Sequence, residues 1–209
     1  MRSCKSRARS QREETSDKTL KELKTAFPDV VARLVDKRCW GLRAGTGTGS
    51  RFVLDFGGKV PARNPVRNPN LTRVQQRFRG EFSLFVTCAW RLDARTHVVC
   101  GWADSNLPSG DMLRGLRTVI GRRVRAINLC MPAYDLEVDF GPRTLRIFCD
   151  RTVRMEGEAN YTMECWRPPL DGAWHGEGYT VLAGGRIARA RLRGASTRLV
   201  DARGAIVDR

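Results

Sequence analysis

The stretch Phe82-Ser-Leu-Phe-Val-Thr-Cys-Ala-Trp90 gives the clearest structural signal in the sequence. Every second residue from Phe82 to Trp90 is apolar, and three of the four residues between them are small or polar. A period of two over this length is typical of a β-strand that buries one face. We therefore expect a strand over Phe82–Trp90 in a sheet with one apolar face.

Shorter segments with similar alternation lie on both sides of this strand. The turn Gly141-Pro-Arg143 joins two of them and is short enough for a tight hairpin. Strands are predicted at Phe52–Phe56, His97–Trp102, Arg123–Cys130, Tyr134–Phe140, Thr144–Asp150, Asn160–Trp166, Tyr179–Ala183 and Arg186–Leu192.

Two segments have helical periodicity instead. The first, Asp17–Val35, has apolar residues mostly three and four positions apart, and Ser16 can cap it. Pro28 lies inside it, so we expect two short helices or a kink there. The second helix is predicted over Gly110–Ile120, with Ser109 as its cap.

Two parts of the chain repeat one order of features. The turn from Leu34 resembles the turn from Val119, and the tripeptides Asp55-Phe-Gly and Asp139-Phe-Gly follow at nearly the same spacing. We interpret this as duplication, which predicts an α+β fold of two repeated helix-plus-antiparallel-β units packed into one domain. Chance similarity between two ordinary hairpins is the alternative.

The same features divide the chain into segments. The predicted divisions are a disordered basic tail at 1–15, an α+β domain at 16–192 with half-units at about 16–103 and 109–192, a basic loop insertion at 58–79, and a C-terminal tail of uncertain structure at 193–209.

The chain is strongly basic, with 38 Lys and Arg against 22 Asp and Glu and a net charge of +16. Coding bias explains arginine in place of lysine, but it does not explain the excess of bases over acids. Residues 31–80 have a net charge of +9, whereas residues 131–209 have +1. A surface that binds an acidic partner is therefore expected in the first half.

The basic insertion is the best candidate for that surface. It replaces a tight turn in the repeat, so we expect it to project from the sheet edge and to contact an acidic partner, with a solvated loop of no function as the alternative. The predicted contact residues are Arg63, Arg67, Arg73, Arg77 and Arg79.

Aromatic residues are the second class of candidates. Trp and Arg dominate the binding energy of many protein interfaces, although packing in the core is the more common role of tryptophan. Trp90 and Trp166 each precede an arginine near a predicted strand end, and Trp174 lies in a segment typical of a loop. These three are candidate interface aromatics.

No residue pattern indicates catalysis, a metal or a cofactor. The run Gly45-Thr-Gly-Thr-Gly-Ser50 precedes a strand rather than a helix and lacks a closing Lys, which favours a hairpin loop over a phosphate cradle. The only histidines, His97 and His175, have no partners at ligand or triad spacing. We expect a non-enzymatic protein without cofactor or metal; a cysteine-dependent enzyme is the weakest alternative.

The sequence also predicts the cellular compartment. Its seven cysteines include no Cys-x-x-Cys pair, the basic N-terminus lacks the apolar core of a secretory signal, and no apolar run approaches the ~18 residues of a membrane span. We therefore expect a cytoplasmic protein with mostly buried thiols and no membrane partner.

Within about residues 37–187 the chain resembles a family of small uncharacterised bacterial proteins that are immunity-like or accessory to toxins. The resemblance lies in the order of several segments: Phe52–Gly57, Cys88–Leu92, Leu116–Arg123, Asp135–Phe140, Asn160–Tyr161 and Tyr179–Ile187. The basic insertion and the basic tail depart from the family pattern. The resemblance implies a binding role without catalysis.

Together these observations predict a cytosolic binding protein, immunity-like or an accessory subunit, that occludes a protein partner. Because the chain is so basic, an immunity role favours an acidic or neutral toxin. The alternative is a nucleic-acid-associated protein that binds phosphates through the basic loop.

Overall fold

The structure is a computed structural model that describes residues 22–62, 67–151, 154–155, 157–167 and 174–192, with the backbone alone at 193, 196–200 and 206–207. The predicted basic tail at 1–15 lies outside these residues. The described helices are α1 at residues 22–32, α2 at Arg73–Arg77 and α3 at Asp111–Arg117. None of them is long and apolar enough to cross a membrane.

Thirteen strands are described. In chain order they are β1 Cys39–Arg43, β2 Phe52–Pro61, β3 Phe78–Val86, β4 Ala89–Asp93, β5 Val98–Gly101, β6 Ala126–Cys130, β7 Asp135–Asp139, β8 Thr144–Phe148, β9 Ala159–Arg167, β10 His175–Leu182, β11 Arg186–Arg193, β12 Ser196–Val200 and β13 Ile206–Val207. β12 and β13 lie in the segment whose structure the sequence left uncertain.

The strands form two antiparallel sheets. The larger has the order β1-β2-β3-β9-β10-β11-β12-β13, and the smaller has the order β5-β4-β8-β7-β6. One apolar core cluster joins the two sheets with α1 and α3. In α1, Phe27 is fully buried against the rings of Tyr134, Tyr161 and Tyr179, at centroid distances of 5.7 to 6.3 Å. α1 continues through Pro28 as one helix, so the expected division into two short helices does not occur.

The predicted α+β class is wrong. The protein is mostly antiparallel β, with 47% of its residues in strands. Nor does each half-unit form its own sheet: the larger sheet takes β1–β3 from the first half and β9 onward from the second, and the smaller sheet combines β4 and β5 with β6–β8. Both sheets therefore depend on pairing between the two halves.

The chain passes from the larger sheet to the smaller one at Thr87 and Cys88, where the predicted single strand Phe82–Trp90 divides into β3 and β4. β3 pairs with β9 in the larger sheet, whereas β4 pairs with β8 in the smaller one. The Thr87 N–H and Oγ1 both donate to the carbonyl of Asn160, at 2.9 Å each, and fix the crossing point. Apolar alternation continues across it because both strands face the same core.

The turns after α1 and α3 bind each other. The Asp36 N–H donates to the carbonyl of Val124 at 2.8 Å, and the Gly121 N–H donates to the carbonyl of Cys39 at 2.7 Å. Asp36 and Gly121 both have positive φ, 65° and 86°, which reverses the chain at each turn. These bonds hold the start of β1 beside the segment that follows α3.

The predicted insertion at 58–79 is only partly a loop. Gly58–Pro61 continue β2, and Phe78 and Arg79 begin β3, so residues 62–77 connect the two strands. α2 lies in that connection, and the Gln75 Nε2 group donates to the Leu42 carbonyl of β1 at 2.6 Å. The connection thus folds back onto the sheet edge near α2 instead of projecting freely.

Candidate functional site

Two neighbouring cavities lie beside β1, the edge strand of the larger sheet. The first, the β1 groove, has a volume of about 510 Å³ and lies between β1, α2 and the end of α3. The second, the loop pocket, has a volume of about 640 Å³ and is bounded by the β1–β2 loop. Leu71, Leu113 and Arg117 line both, so the cavities share one face of the protein.

The lining of the β1 groove is largely apolar. It includes Trp40 and Leu42 of β1, Val74 of α2, Leu113 of α3 and Ile120 just after α3. Val74 and Ile120 keep 38% and 36% of their surfaces exposed. Neighbouring exposed apolar side chains with a polar rim are typical of a surface that contacts another molecule.

Two cations line the same groove. The Lys59 Nζ lies 5.5 Å from the centroid of the Trp40 ring, within cation–π range. Arg117 is exposed, and its Nη1 is 3.5 Å from the Pro108 carbonyl. None of the described residues that line the groove is acidic. The groove therefore combines an apolar floor with positive charge that no lining residue balances.

Local sequence explains how α2 forms one wall. Thr72 is its N-cap, and its Oγ1 accepts from the Gln75 N–H at 3.3 Å. The Gln75 Oε1 accepts in return from the Thr72 N–H at 3.0 Å, which completes a capping box. Because the other end of the Gln75 amide binds Leu42, the cap also places Val74 beside β1.

The loop pocket is built around the glycine-rich hairpin loop that the sequence predicts between Gly45 and Ser50. Gly45, Gly47 and Gly49 all have positive φ, at 140°, 90° and 61°. The Asn106 Nδ2 donates to the carbonyls of Gly45 and Gly49, at 3.1 and 3.0 Å. A side chain from outside the hairpin thus fixes the loop conformation.

A buried ion pair lies next to this pocket. Asp55 of β2 is fully buried, and its Oδ1 accepts from Arg43 Nη2 at 2.9 Å, from the Gly80 N–H at 3.0 Å and from Ser83 Oγ at 2.7 Å. Arg43 lines the loop pocket, but its charge is committed to Asp55. Arg51 and Arg117 are the other two arginines of the lining.

The predicted arginines do not form one cluster. Arg63 lies outside the described residues. Arg67 is exposed before α2, while Arg73 and Arg77 are exposed one helical turn apart on α2. Arg79 is half-buried on β3, with its guanidinium 5.9 Å from the centroid of the Trp166 ring. The three exposed arginines therefore stand near the β1 groove, and Arg79 contributes to packing on the sheet.

The predicted interface aromatics are also separated. Trp90 has no exposed surface, packs edge-on against Phe52 at 4.9 Å and donates its Nε1–H to the Ser50 carbonyl at 2.8 Å. It is a core residue in this structure. Trp166 is 7% exposed in a small second apolar cluster, against which the half-buried Trp174 packs.

Beside Trp166 on β9 lies Glu164. Burial raises the pKa of its carboxyl group, and the nearby charge of Arg79 opposes that rise. A carboxylate and a guanidinium thus share the surface around Trp166, which balances charge there in contrast to the β1 groove.

Sequence reasoning missed several residues of the two cavities. Lys59 lies in the predicted basic insertion but is not among the predicted contact residues, and neither are Trp40, Arg51 and Arg117. One signal was available, since Trp40 directly precedes residues 41–51, which contain four glycines and two arginines. No sequence signal brings Arg117 to β1, because that contact depends on the pairing of the two turns.

Burial keeps two of the described cysteines as neutral thiols. Burial raises the pKa of the Cys100 thiol to about 12 and raises that of Cys39 further, so neither provides a thiolate at neutral pH. Cys130 is exposed, and His97 is exposed beside Thr96. Within the described ranges, no three His, Cys, Asp or Glu residues are grouped as a metal site.

Comparison with known proteins adds no relative: the chain matches no protein-family model, no curated protein and no solved structure.

Proposed function

We propose that this protein is a non-enzymatic binding protein, immunity-like or an accessory subunit, which acts in the cytoplasm by occluding an acidic protein partner. The β1 groove is the proposed contact surface. One observation carries the proposal: exposed Val74 and Ile120 line the same groove as Lys59 and Arg117, and no described lining residue is acidic.

The chemistry of the groove specifies the partner. Apolar contacts on Val74 and Ile120 require a partner segment with apolar side chains, because burial of apolar surface supplies most of the affinity. Lys59 and Arg117 favour carboxylates at its edges, and the exposed Arg67, Arg73 and Arg77 extend the positive field around it. An acidic segment with apolar anchors fits both requirements.

The experiment is affinity capture from cells that contain the natural partner, followed by binding measurements with the captured protein. The variant K59E/R117E reverses both charges of the groove, and R95E is the control because Arg95 is exposed and lines neither cavity. We expect K59E/R117E to weaken binding at least about a hundredfold and R95E to change it less than about threefold. Equal binding by both variants would refute the groove as the contact.

Nucleic acid is the second candidate, favoured by exposed arginines without acidic partners among the described residues. Arg67, Arg73 and Arg77 form no ion pair there, and the same holds for Arg51, Lys59 and Arg117. Six phosphate contacts predict an affinity for DNA or RNA that falls by about 10³-fold between 50 and 200 mM salt. Affinity for a stoichiometric protein partner that persists at 200 mM salt, with no measurable nucleic-acid binding, favours the first proposal.

A further inference from the structure

The loop pocket combines features that the proposed groove does not use. Its floor is apolar, formed by Leu71 and by the adjacent pair Val53 and Phe85 of β2 and β3. Its volume of about 640 Å³ lies within the usual range for a small-molecule site. No acidic side chain is present among the described residues of its lining.

The glycine-rich loop that lines this pocket carries backbone donors without partners among the described residues. The backbone N–H groups of Thr46, Gly47 and Gly49 make no hydrogen bond within the described residues, although Gly45 is bound to Thr48. A Cβ built on Gly47 or Gly49 meets no atom within 4 Å, so the loop is open around these two α-carbons. Successive main-chain donors in a loop with positive φ are a recurring means of binding anions.

Arginines supply the matching charge. Arg51 follows the loop directly and is exposed, with no acidic partner among the described residues, and Arg117 faces the same pocket from α3. A guanidinium group binds phosphate oxygens with two parallel hydrogen bonds, a geometry that an ammonium group lacks. Arg43 does not contribute in this way because Asp55 holds it.

The loop is also held in advance of binding. Asn106 fixes both ends of the glycine-rich segment, and the Trp90 Nε1–H binds the carbonyl of Ser50 immediately after it. Donors held in place by the fold lose less conformational entropy on binding than donors in a flexible loop. The hairpin thus presents its N–H groups on a supported frame.

We propose that the loop pocket binds a phosphate group attached to a ring, with the phosphate at the 46–49 loop and Arg51 and the ring on Val53 and Phe85. A free nucleotide and the phosphorylated end of a nucleic acid share this chemistry. This site adjoins the β1 groove and shares Leu71, Leu113 and Arg117 with it, but its ligand chemistry does not depend on the proposed protein partner.

The test uses the full chain and phenyl phosphate as the smallest probe, with inorganic phosphate and phenol as its two halves. We expect phenyl phosphate to bind at least about tenfold more tightly than either half and to shift the amide signals of Thr46–Gly49 in the ¹H–¹⁵N spectrum. Signal changes confined to other residues, or equal affinity for phenol and phenyl phosphate, would overturn the proposal.

Substitutions separate this site from the groove. R51Q removes the fork beside the loop and should weaken phenyl phosphate binding about tenfold or more, because a charge-assisted hydrogen bond is lost. R95Q and K59Q lie outside the loop pocket and should bind it as the unaltered chain does. If R51Q binds as tightly as R95Q, the assignment is wrong.

Two pairs of ligands, each with and without a phosphate, distinguish a free nucleotide from the end of a nucleic acid. Adenosine monophosphate is compared with adenosine, and a 5′-phosphorylated oligonucleotide is compared with the same strand bearing a 5′-hydroxyl. Preference for the phosphorylated member of either pair, lost in R51Q, supports the site and identifies the source. Equal binding within both pairs contradicts it, whatever the outcome for the protein partner.

Discussion

Replacement of Asp55 tests the most completely buried charge in the described structure. Its Oδ1 accepts from Arg43, Gly80 and Ser83, whereas its Oδ2 has no hydrogen-bond partner. An asparagine with its oxygen in the Oδ1 position preserves the three acceptor contacts, loses the charge and places an N–H donor at the unpartnered position of Oδ2. Alanine loses the charge and the bonds together, so the two variants separate these contributions.

The expected magnitudes follow from that geometry. Breaking a buried ion pair by removing one partner typically costs about 3–5 kcal/mol, which is the expected loss in unfolding free energy for D55A. For D55N we expect about 1–2 kcal/mol, because charge-assisted hydrogen bonds are roughly twice as strong as neutral ones and Arg43 is near enough to the surface to be solvated. At this chain length D55A should lower Tm by roughly 6–20 °C.

The matched control is D139A, because Asp139 begins the second Asp-Phe-Gly tripeptide. Asp139 is half-buried, and its Oδ1 accepts from the Gly141 N–H at 2.6 Å in a turn. Loss of that bond should cost about 1 kcal/mol. Urea denaturation gives all three values, and a cost for D55A no greater than that for D139A would refute the reasoning.

Three further predictions concern the outer face of the larger sheet and the connection to β3. Burial raises the pKa of the Glu164 carboxyl in the folded protein above its ordinary value of about 4.5. At pH values between the ordinary and the raised pKa, folding therefore takes up a proton, and the free energy of unfolding falls as pH rises. E164Q should therefore gain stability relative to the unaltered chain between pH 4 and pH 7; a difference independent of pH in urea titrations would contradict this. R79S should lower the unfolding free energy by about 0.5–2 kcal/mol through loss of the contact with Trp166. The triple variant replaces the exposed Arg67, Arg73 and Arg77 by serine, and its Tm should change by less than about 2 °C in thermal melts. A larger loss of stability in this variant than in R79S would reverse our assignment of packed and exposed residues.

Strand positions were predictable where more and less buried side chains alternate along the strand. β7 at Asp135–Asp139 and β8 at Thr144–Phe148 lie within their predicted ranges, as does α3 at Asp111–Arg117. β1 was not predicted, since Cys39-Trp-Gly-Leu-Arg43 is too short to show a period. The alternation of apolar and polar residues indicates which side chains face a core, but it does not indicate which strand pairs with which.

That insensitivity explains the error in fold class. At Thr87 and Cys88 the chain leaves one sheet and enters the other while its apolar face stays toward the same core. The repeat predicts one sheet for each half of the chain, but the backbone hydrogen bonds pair strands of one half with strands of the other in both sheets. These bonds form between backbone groups, whose partners do not depend on side-chain identity.

The candidate site was predicted only in part for a related reason. The basic character of residues 58–79 points to the side of β1 on which the β1 groove lies, and Lys59 is in that range. Arg117 is 58 positions further along the chain and reaches the groove only through the bonds between the Asp36 and Gly121 turns. Arg79 lies on the sheet and not in the connection because β3 begins at Phe78, whereas the clear alternation in the sequence begins at Phe82.

The central claim is that an acidic protein contacts the β1 groove, and photo-crosslinking in living cells tests it most directly. Benzoylphenylalanine is placed at Val74 in the groove or, as the control, at Val98, which is 54% exposed on β5. We predict a crosslink from position 74 to one acidic protein segment, absent from position 98 and abolished by K59E/R117E. Equal crosslinks from the two positions, or a position-74 crosslink unaffected by K59E/R117E, would contradict the account.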